Sequence, residues 1–142
     1  MAGRADDHRG ILNPLASAGR VRLARFAPAP ALAEVVDRYW IVRWDLDAPF
    51  AQETLPFPCT HVVVGDHQPG VHGPPLARFV AALSGTGAVL GVKFRPAGFH
   101  ALYRRELVGL VGRSLPVAAV LGGAAAALEA LRPGPRDDAD DP

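Results

Sequence analysis

The chain has 142 residues, which favours one domain, and 49% hydrophobic with 20% charged residues is the balance of a globular protein rather than a disordered one. The formal net charge is +1, so no overall field indicates a nucleic-acid or membrane-surface protein. The single cysteine, Cys59, excludes an internal disulfide, and the polar N-terminus lacks the apolar core of a signal peptide. We therefore expect a cytoplasmic protein.

Composition divides the chain into three parts. Residues 1–10 are polar and predict a disordered N-terminus. Residues 11–132 carry regular apolar patterns and predict a single domain of the sensor or dimerisation type. Residues 133–142, with the sequence PGPRDDADDP, have the composition of an acidic linker or tail.

The stretch 30–46 is the most informative part of the chain, because its period changes along its length. In its first half, five apolar residues follow the spacing of one helical face: Leu32, Val35, Val36, Tyr39 and Trp40. Pro30 suits the first position of a helix, and Glu34 stands four residues before Arg38 on the polar side. From residue 40 to residue 46, apolar and polar positions alternate as in a strand. We predict an amphipathic helix that runs directly into a half-buried strand.

The remaining elements are short. A short edge strand is predicted at 21–27, and further strands at 52–55, 59–65, 76–83 and 88–94. Glycines in the segment 84–87 favour a hairpin between the last two strands, and Gly91 indicates a bulge or a close backbone approach. Short helices are predicted at 99–103, 116–121 and 124–131, the last with Leu128 and Leu131 facing inward. The order of elements predicts an α+β fold with a small antiparallel sheet or partial β-barrel.

Several potential metal ligands cluster in the middle of the sequence: Glu53, Cys59, His61, His67 and His72. Cys59 and His61 are two apart in a predicted strand and face the same way, which suits two ligands or a nucleophile and its base. No second close ligand pair and no third orienting group accompany them. We therefore predict no metal, no cofactor and no catalytic residues.

A second cluster is basic. Lys93, Arg95, Arg104 and Arg105 lie close together in the sequence. One interpretation is a solvated face, and the other is a site for an anionic ligand or for docking of another domain. The segment lacks a helix-turn-helix of adequate length, so we predict no DNA contact from this chain.

Several sequence blocks resemble the N-terminal domain of one group of AraC-type transcriptional regulators. They run in the family's order from about residue 11 to residue 131: ILNP, ARFAPAPALAEVVDRYWIVRWDL, ETLPFPCTHVVV, VHGP and LSGTGAVLGVKFRPAGF. The most specific are RYWIVRWDL, LPFPC and GVKFRPAGF. Ala97 departs from the pattern, because glycine is expected at that position of the last block.

The resemblance implies a regulatory domain that senses an unknown small-molecule effector or mediates dimerisation, with a cupin-like barrel and a homodimeric state. It implies DNA binding only through a helix-turn-helix domain that this chain lacks. Strand alternation then suggests a ligand pocket built from five residues: Trp40, Trp44, Cys59, His61 and Phe94.

Two alternatives remain from the sequence. The first is a stand-alone small binding protein that pairs with a full-length regulator through the segment 116–131. The second is a small metal-binding protein or enzyme that uses Cys59 and His61.

Overall fold

The computed structural model describes residues 4–5, 21–54, 58–76 and 79–134. Within them the strands are β1 (Arg4–Ala5), β2 (Val21–Phe26), β3 (Val36–Asp45), β4 (Phe50–Thr54), β5 (His61–Gly65), β6 (Gly70–His72), β7 (Phe79–Leu83), β8 (Thr86–Phe94) and β9 (Ser114–Leu115). The helices are α1 (His100–Tyr103), α2 (Val117–Leu121) and α3 (Ala124–Glu129), with 3₁₀ turns at Pro30–Leu32 and Leu107–Leu110. The predicted disordered N-terminus and most of the acidic tail lie outside the described residues.

The strands form two sheets. Seven follow the spatial order β1-β2-β3-β8-β5-β6-β9, and β4 pairs with β7 alone. The pairings are antiparallel. This confirms the α+β class and the antiparallel sheet. The described strands do not close into a barrel, since β1 and β9 stand at opposite edges.

The predicted helix over residues 30–40 is wrong. Only the single 3₁₀ turn Pro30–Leu32 is helical, and β3 already begins at Val36. Strand β3 pairs with β2 on one side and with β8 on the other, and that double ladder overrides a local helical period. The β-branched and aromatic residues of the segment favour a strand as well. Val36, Tyr39 and Trp40 are apolar for a different reason, because they lie in β3 and pack against core residues on its two faces. Leu32 and Val35 precede the strand.

One face of the large sheet, here called the helical face, is covered by the C-terminal helices. Strands β3, β8 and β5 contribute aliphatic side chains to it, including Ile41, Leu90 and Val64. Phe99 at the start of α1 is fully buried against Phe94, with ring centroids 4.9 Å apart in an edge-to-face arrangement. This edge-to-face packing and the apolar burial hold the helices on the sheet.

The other face, here called the second face, is covered at one end by the β4–β7 pair. Leu83 of β7 packs with Trp44, Val63 and Val89. The predicted hairpin between residues 76–83 and 88–94 is therefore wrong in its pairing, because β7 pairs with β4 while β8 pairs with β3 and β5. The glycine turn exists, with Gly85 at φ +62°, but it carries the chain from one sheet to the other.

Two glycines of β8 make room for the two tryptophans of β3. Trp44 is the cross-strand partner of Gly87, and Trp40 is the partner of Gly91. A Cβ atom at either glycine would collide with the indole opposite it. The close approach predicted at Gly91 is confirmed, and the approaching group is a side chain.

Two smaller predictions need correction. Strand β2 is present, but it is not an edge strand, because β1 pairs with its outer side. Helix α3 ends at Glu129, so Leu131 lies beyond it and is 58% exposed instead of facing inward. Leu128 does pack against the core. Within the described residues, no helix is both long and apolar enough to cross a membrane.

Candidate functional site

A row of polar side chains crosses the second face at the end away from Trp44. Its members are consecutive cross-strand partners on five neighbouring strands. In spatial order they are Arg38 on β3, Lys93 on β8, His61 on β5, His72 on β6 and Ser114 on β9. Directly paired residues point to the same face of a sheet. We call these five residues the polar ladder. Its position follows from the strand registers alone.

Asp37 supplies a carboxylate at the Arg38 end of the ladder. It lies where the register of β3 against β8 shifts, which marks an irregularity of the β-bulge type. Its carboxylate lies 2.9 Å from Arg38 Nε, 3.3 Å from Lys93 Nζ and 4.0 Å from a terminal nitrogen of Arg95. Burial would raise the pKa of Asp37, but the hydrogen bonds and charges of Arg38 and Lys93 outweigh it and hold the pKa below its ordinary value.

His72 is fixed at the other end by both of its ring nitrogens. Nδ1 lies 2.7 Å from Ser114 Oγ, and Nε2 lies 2.7 Å from the carbonyl oxygen of Gln68. A carbonyl oxygen can only accept, so Nε2 carries the hydrogen. In the neutral ring Nδ1 then accepts a hydrogen bond from the Ser114 hydroxyl group. The imidazole is thereby held in one orientation.

His61, in the middle of the ladder, is a neutral imidazole near pH 7. Burial, followed by the charges of Lys93 and His72, lowers its pKa to about 4. Its ring meets Trp40 edge-on, with centroids 6.3 Å apart. Because Trp40 occupies the space above Gly91, the ladder is bordered by an aromatic wall on the adjoining row of the sheet.

Cys59 precedes β5 and is buried. Burial raises the pKa of its thiol, and Lys93, which acts in the opposite direction, does not cancel that effect. A thiol held neutral is a poor nucleophile. Among the described residues, no group of three or more His, Cys, Asp or Glu side chains is placed to hold a metal ion. What the site offers is a set of hydrogen-bond donors and positive charges beside an aromatic wall.

The structure separates the five residues predicted to form a pocket. Trp40 and His61 are in contact at the ladder, and Cys59 is near enough for the Lys93 charge to act on the pKa of its thiol. Trp44 is 4% exposed and its indole N–H donates to the carbonyl of Ser84. Phe94 packs in the helical-face core with Phe99, so it lies on the other side of the sheet.

The predicted basic cluster also divides. Lys93 and Arg95 both approach Asp37, and Arg95 Nε donates to the carbonyl of Ala33. Arg104 ends α1 with a left-handed backbone, and Arg105 lies over the ring of Tyr103. The two halves of the cluster thus make their contacts with different parts of the fold.

The sequence interpretation missed Asp37, Arg38 and Ser114 as members of the site. Arg38 had a usable signal, because it alternates with Trp40 and Val42 and so shares their face. The other two had none. Asp37 enters through a register irregularity, and Ser114 through a two-residue strand paired with β6.

Comparison with known proteins gives one family match. The family described as "Domain of unknown function (DUF6597)" matches residues 24–116, a range that runs from β2 to the residue after β9. No curated protein matches the chain, and no solved structure does.

Proposed function

The chain belongs to the DUF6597 family, and we propose that it is the regulatory domain of an AraC-type transcriptional regulator, sensing a small-molecule effector and mediating dimerisation. Its chemistry is binding and not catalysis. A partial, cupin-like barrel formed by the large sheet and the β4–β7 pair is part of this proposal. DNA would be contacted by a helix-turn-helix domain outside this chain.

The observation that carries the proposal is the convergence of the three most specific sequence blocks. RYWIVRWDL forms most of β3, GVKFRPAGF forms the end of β8 and the turn after it, and LPFPC leads into β5. These strands are adjacent at the centre of the sheet. The blocks supply Arg38, Lys93 and Cys59 to one site.

Nothing in the primary order requires that convergence, since the blocks are separated by long intervening segments. The same blocks supply Ile41, Phe94 and Phe99 to the helical-face core. On the second face they also bring together charged and polar side chains that are partly buried, which costs free energy unless those groups have partners. Ligand sites are where such groups are commonly retained.

The test is the mass of the native protein in its own cells, detected with an antibody raised against this domain. A species clearly heavier than the 15.0 kDa of this chain is expected, with a DNA-binding domain in the same polypeptide. If the only species has the mass of this chain, the regulator proposal fails. The alternative of a small binding protein that pairs with a full-length regulator would then take its place.

Two exposed apolar side chains support the dimerisation part of the proposal. Leu76 is 79% exposed and Val108 is 72% exposed. Leu76 packs beside Gly112, whose amide donates to the carbonyl oxygen of Pro74. Gly112 lies two residues before β9, which stands at an edge of the large sheet. Exposed apolar side chains are typical of association surfaces.

Size-exclusion chromatography coupled to light scattering measures the dimer fraction and tests whether Val108 lies in a dimer interface. We expect Val108→Asp to lower the dimer fraction, because a charge would be buried at the interface. Leu131→Asp is the matched control, since Leu131 is also exposed but lies beyond α3. Equal dimer fractions in both variants would remove this surface from the proposal.

A further inference from the structure

The polar ladder is made mostly of basic side chains. Four of its members, on the adjacent strands β6, β5, β8 and β3, are cationic or imidazole side chains: His72, His61, Lys93 and Arg38. Strands about 4.8 Å apart place His72 and Arg38 about 14 Å from one another. Arg38 and Lys93 are the directly opposed like charges among them, an arrangement that destabilises a sheet unless an acceptor lies beside the two. Asp37 is one such acceptor, and a bound anion would be another.

Asp37 shows which partner the Arg38 end of the ladder prefers. Its carboxylate is bound by Arg38 and Lys93 and lies within 4.0 Å of Arg95. Arginine binds a carboxylate or phosphate best through two parallel N–H groups. Within the described part of the chain, Arg38 contacts Asp37 through Nε alone. The terminal nitrogens of its guanidinium group are then suited to a second anionic group.

The adjoining row of the sheet is apolar from β3 to β5, and Arg25 of β2 is the partner of Trp40 on the other side. Gly91, Val63 and Trp40 form the apolar part, and the indole fills the space above the glycine. His61 lies in the polar ladder beside Lys93 and meets the indole edge-on. An uncharged imidazole and an indole together suit contact with a flat, apolar group.

We propose that the polar ladder binds a small organic anion, in which Arg38 and Lys93 hold a carboxylate or phosphate group while His61 and Trp40 contact a flat apolar body. This names the effector class for the sensing role proposed above and rests on it. Asp37 occupies part of the anion position in the unliganded protein. A bound anion competes with Asp37 for Arg38 and Lys93.

Competition with Asp37 separates this proposal from a purely structural role of the cluster. A structural ion pair loses stability when Asp37 is neutralised, and nothing else changes. A ligand site with a built-in competitor binds anions more tightly after the same substitution. Asp37→Asn is therefore expected to gain affinity, and Arg38→Gln to lose it.

Isothermal titration calorimetry on the wild-type chain with benzoate, phenyl phosphate, benzamide, acetate and inorganic phosphate tests the proposal. Benzoate or phenyl phosphate is expected to bind, and the tighter of the two identifies the anionic group. Benzamide, which is flat but neutral, is expected not to bind. Arg38→Gln is expected to weaken binding about tenfold or more, as for loss of a charge-assisted hydrogen bond.

Arg105→Gln is the matched control, because Arg105 contacts Tyr103 and the same charge is removed outside the ladder. It is expected to leave the affinity unchanged. If Arg38→Gln does not fold, Arg38→Lys keeps the charge without the planar fork, and we expect weaker binding from it as well. Circular dichroism on each variant checks folding.

Three results would overturn the proposal. The first is no binding of benzoate or phenyl phosphate to either the wild type or Asp37→Asn. The second is equal affinity in Arg38→Gln, Arg105→Gln and the wild type. The third is binding of acetate and inorganic phosphate as tightly as the aromatic anions, which means an adventitious ion only. A heavier native species combined with any of these results would leave the regulatory role standing and remove only the ligand class.

Discussion

The two faces of the large sheet are made by the same strands, and they differ most at the end that carries the polar ladder. On β3, β8 and β5, residues such as Ile41, Leu90 and Val64 face the helices and are nearly inaccessible to solvent. The same strands carry Arg38, Lys93 and His61 on the second face. Strand alternation places each of them next to a residue that packs in the helical-face core: Tyr39, Val92 and Val62.

The helical face keeps the site in place, because each ladder residue is next to residues that pack in that core. Truncation of a buried side chain on the helical face should cost stability at every pH. At the polar ladder, the stability contribution of His61 should depend on pH, and substitutions should also change ligand binding.

Phe99→Ala should be the most damaging single change considered. Phe99 is 0% exposed and contacts both Phe94 and Tyr103. Its truncation leaves a cavity and is expected to lower the free energy of unfolding by about 3–5 kcal/mol. Leu102→Ala, at a 51% exposed position of the same helix, should cost well under about 1 kcal/mol. Urea denaturation of both proteins measures the difference, and similar midpoints would contradict the helical-face core.

On the second face, His61 should make the free energy of unfolding depend on pH. Burial, Lys93 and His72 lower the pKa of His61 to about 4, below its ordinary value of 6.5. The unfolded chain therefore binds a proton before the folded chain does. Stability from the neutral ring is complete above about pH 6.5 and decreases as the pH falls to about 4, by up to about 3 kcal/mol.

Urea denaturation at a series of pH values compares the wild type with His61→Gln, which cannot titrate. The wild type should lose stability between pH 6.5 and 4 with a steeper slope than the variant. Asp37 also has a lowered pKa, but its contribution is lost only below the ordinary carboxyl range, so the two windows are distinct. Parallel curves from pH 6.5 to 4 would show that His61 is not buried in the neutral form.

Much of the fold could be predicted, and the failures have a common cause. Strands β3, β5 and β8 and the short helices followed from alternation and from glycine or proline boundaries. The false helix at 30–40 and the false hairpin at 84–87 both arose from local patterns that long-range pairing overrode. Local sequence cannot show that β8 lies between β3 and β5, because those partners are distant along the chain.

The site was predictable only in part, for the same reason. Trp40, Cys59, His61 and Lys93 stand out by residue type, and the structure places them around the ladder. Trp44 and Phe94 were assigned to the same pocket because the registers were unknown. Arg38, Lys93 and Ser114 lie on β3, β8 and β9, and their alignment depends on pairings that no local signal specifies.

Gly91→Ala adds one methyl group to the second face, directly opposite Trp40. The new Cβ would overlap the indole of Trp40, which must then shift from its position beside His61. Overpacking of this kind costs about 1–3 kcal/mol. Gly109→Ala is the control, since nothing lies within 4 Å of the position that its added methyl group would take. Thermal unfolding compares the two, and tryptophan fluorescence reports the displacement of Trp40.

The last substitution is in the turn that joins β8 to α1, and its effect should be small. Ala97 has φ +63°, in the left-handed region that costs a non-glycine residue about 1–2 kcal/mol. It lies between β8, which carries Lys93, and α1, which closes the helical face. Ala97→Gly removes that strain, but glycine loses more backbone entropy on folding. The net result should be a gain of up to about 1 kcal/mol.

The matched control is Ala119→Gly, the same chemical change at an exposed position of α2. There the backbone is helical, so the substitution should destabilise by about 1 kcal/mol. Urea denaturation should therefore give opposite signs for one substitution type at two sites. Destabilisation at both would mean that the Ala97 backbone is not strained. The glycine expected there from the family pattern would then need a reason other than backbone conformation.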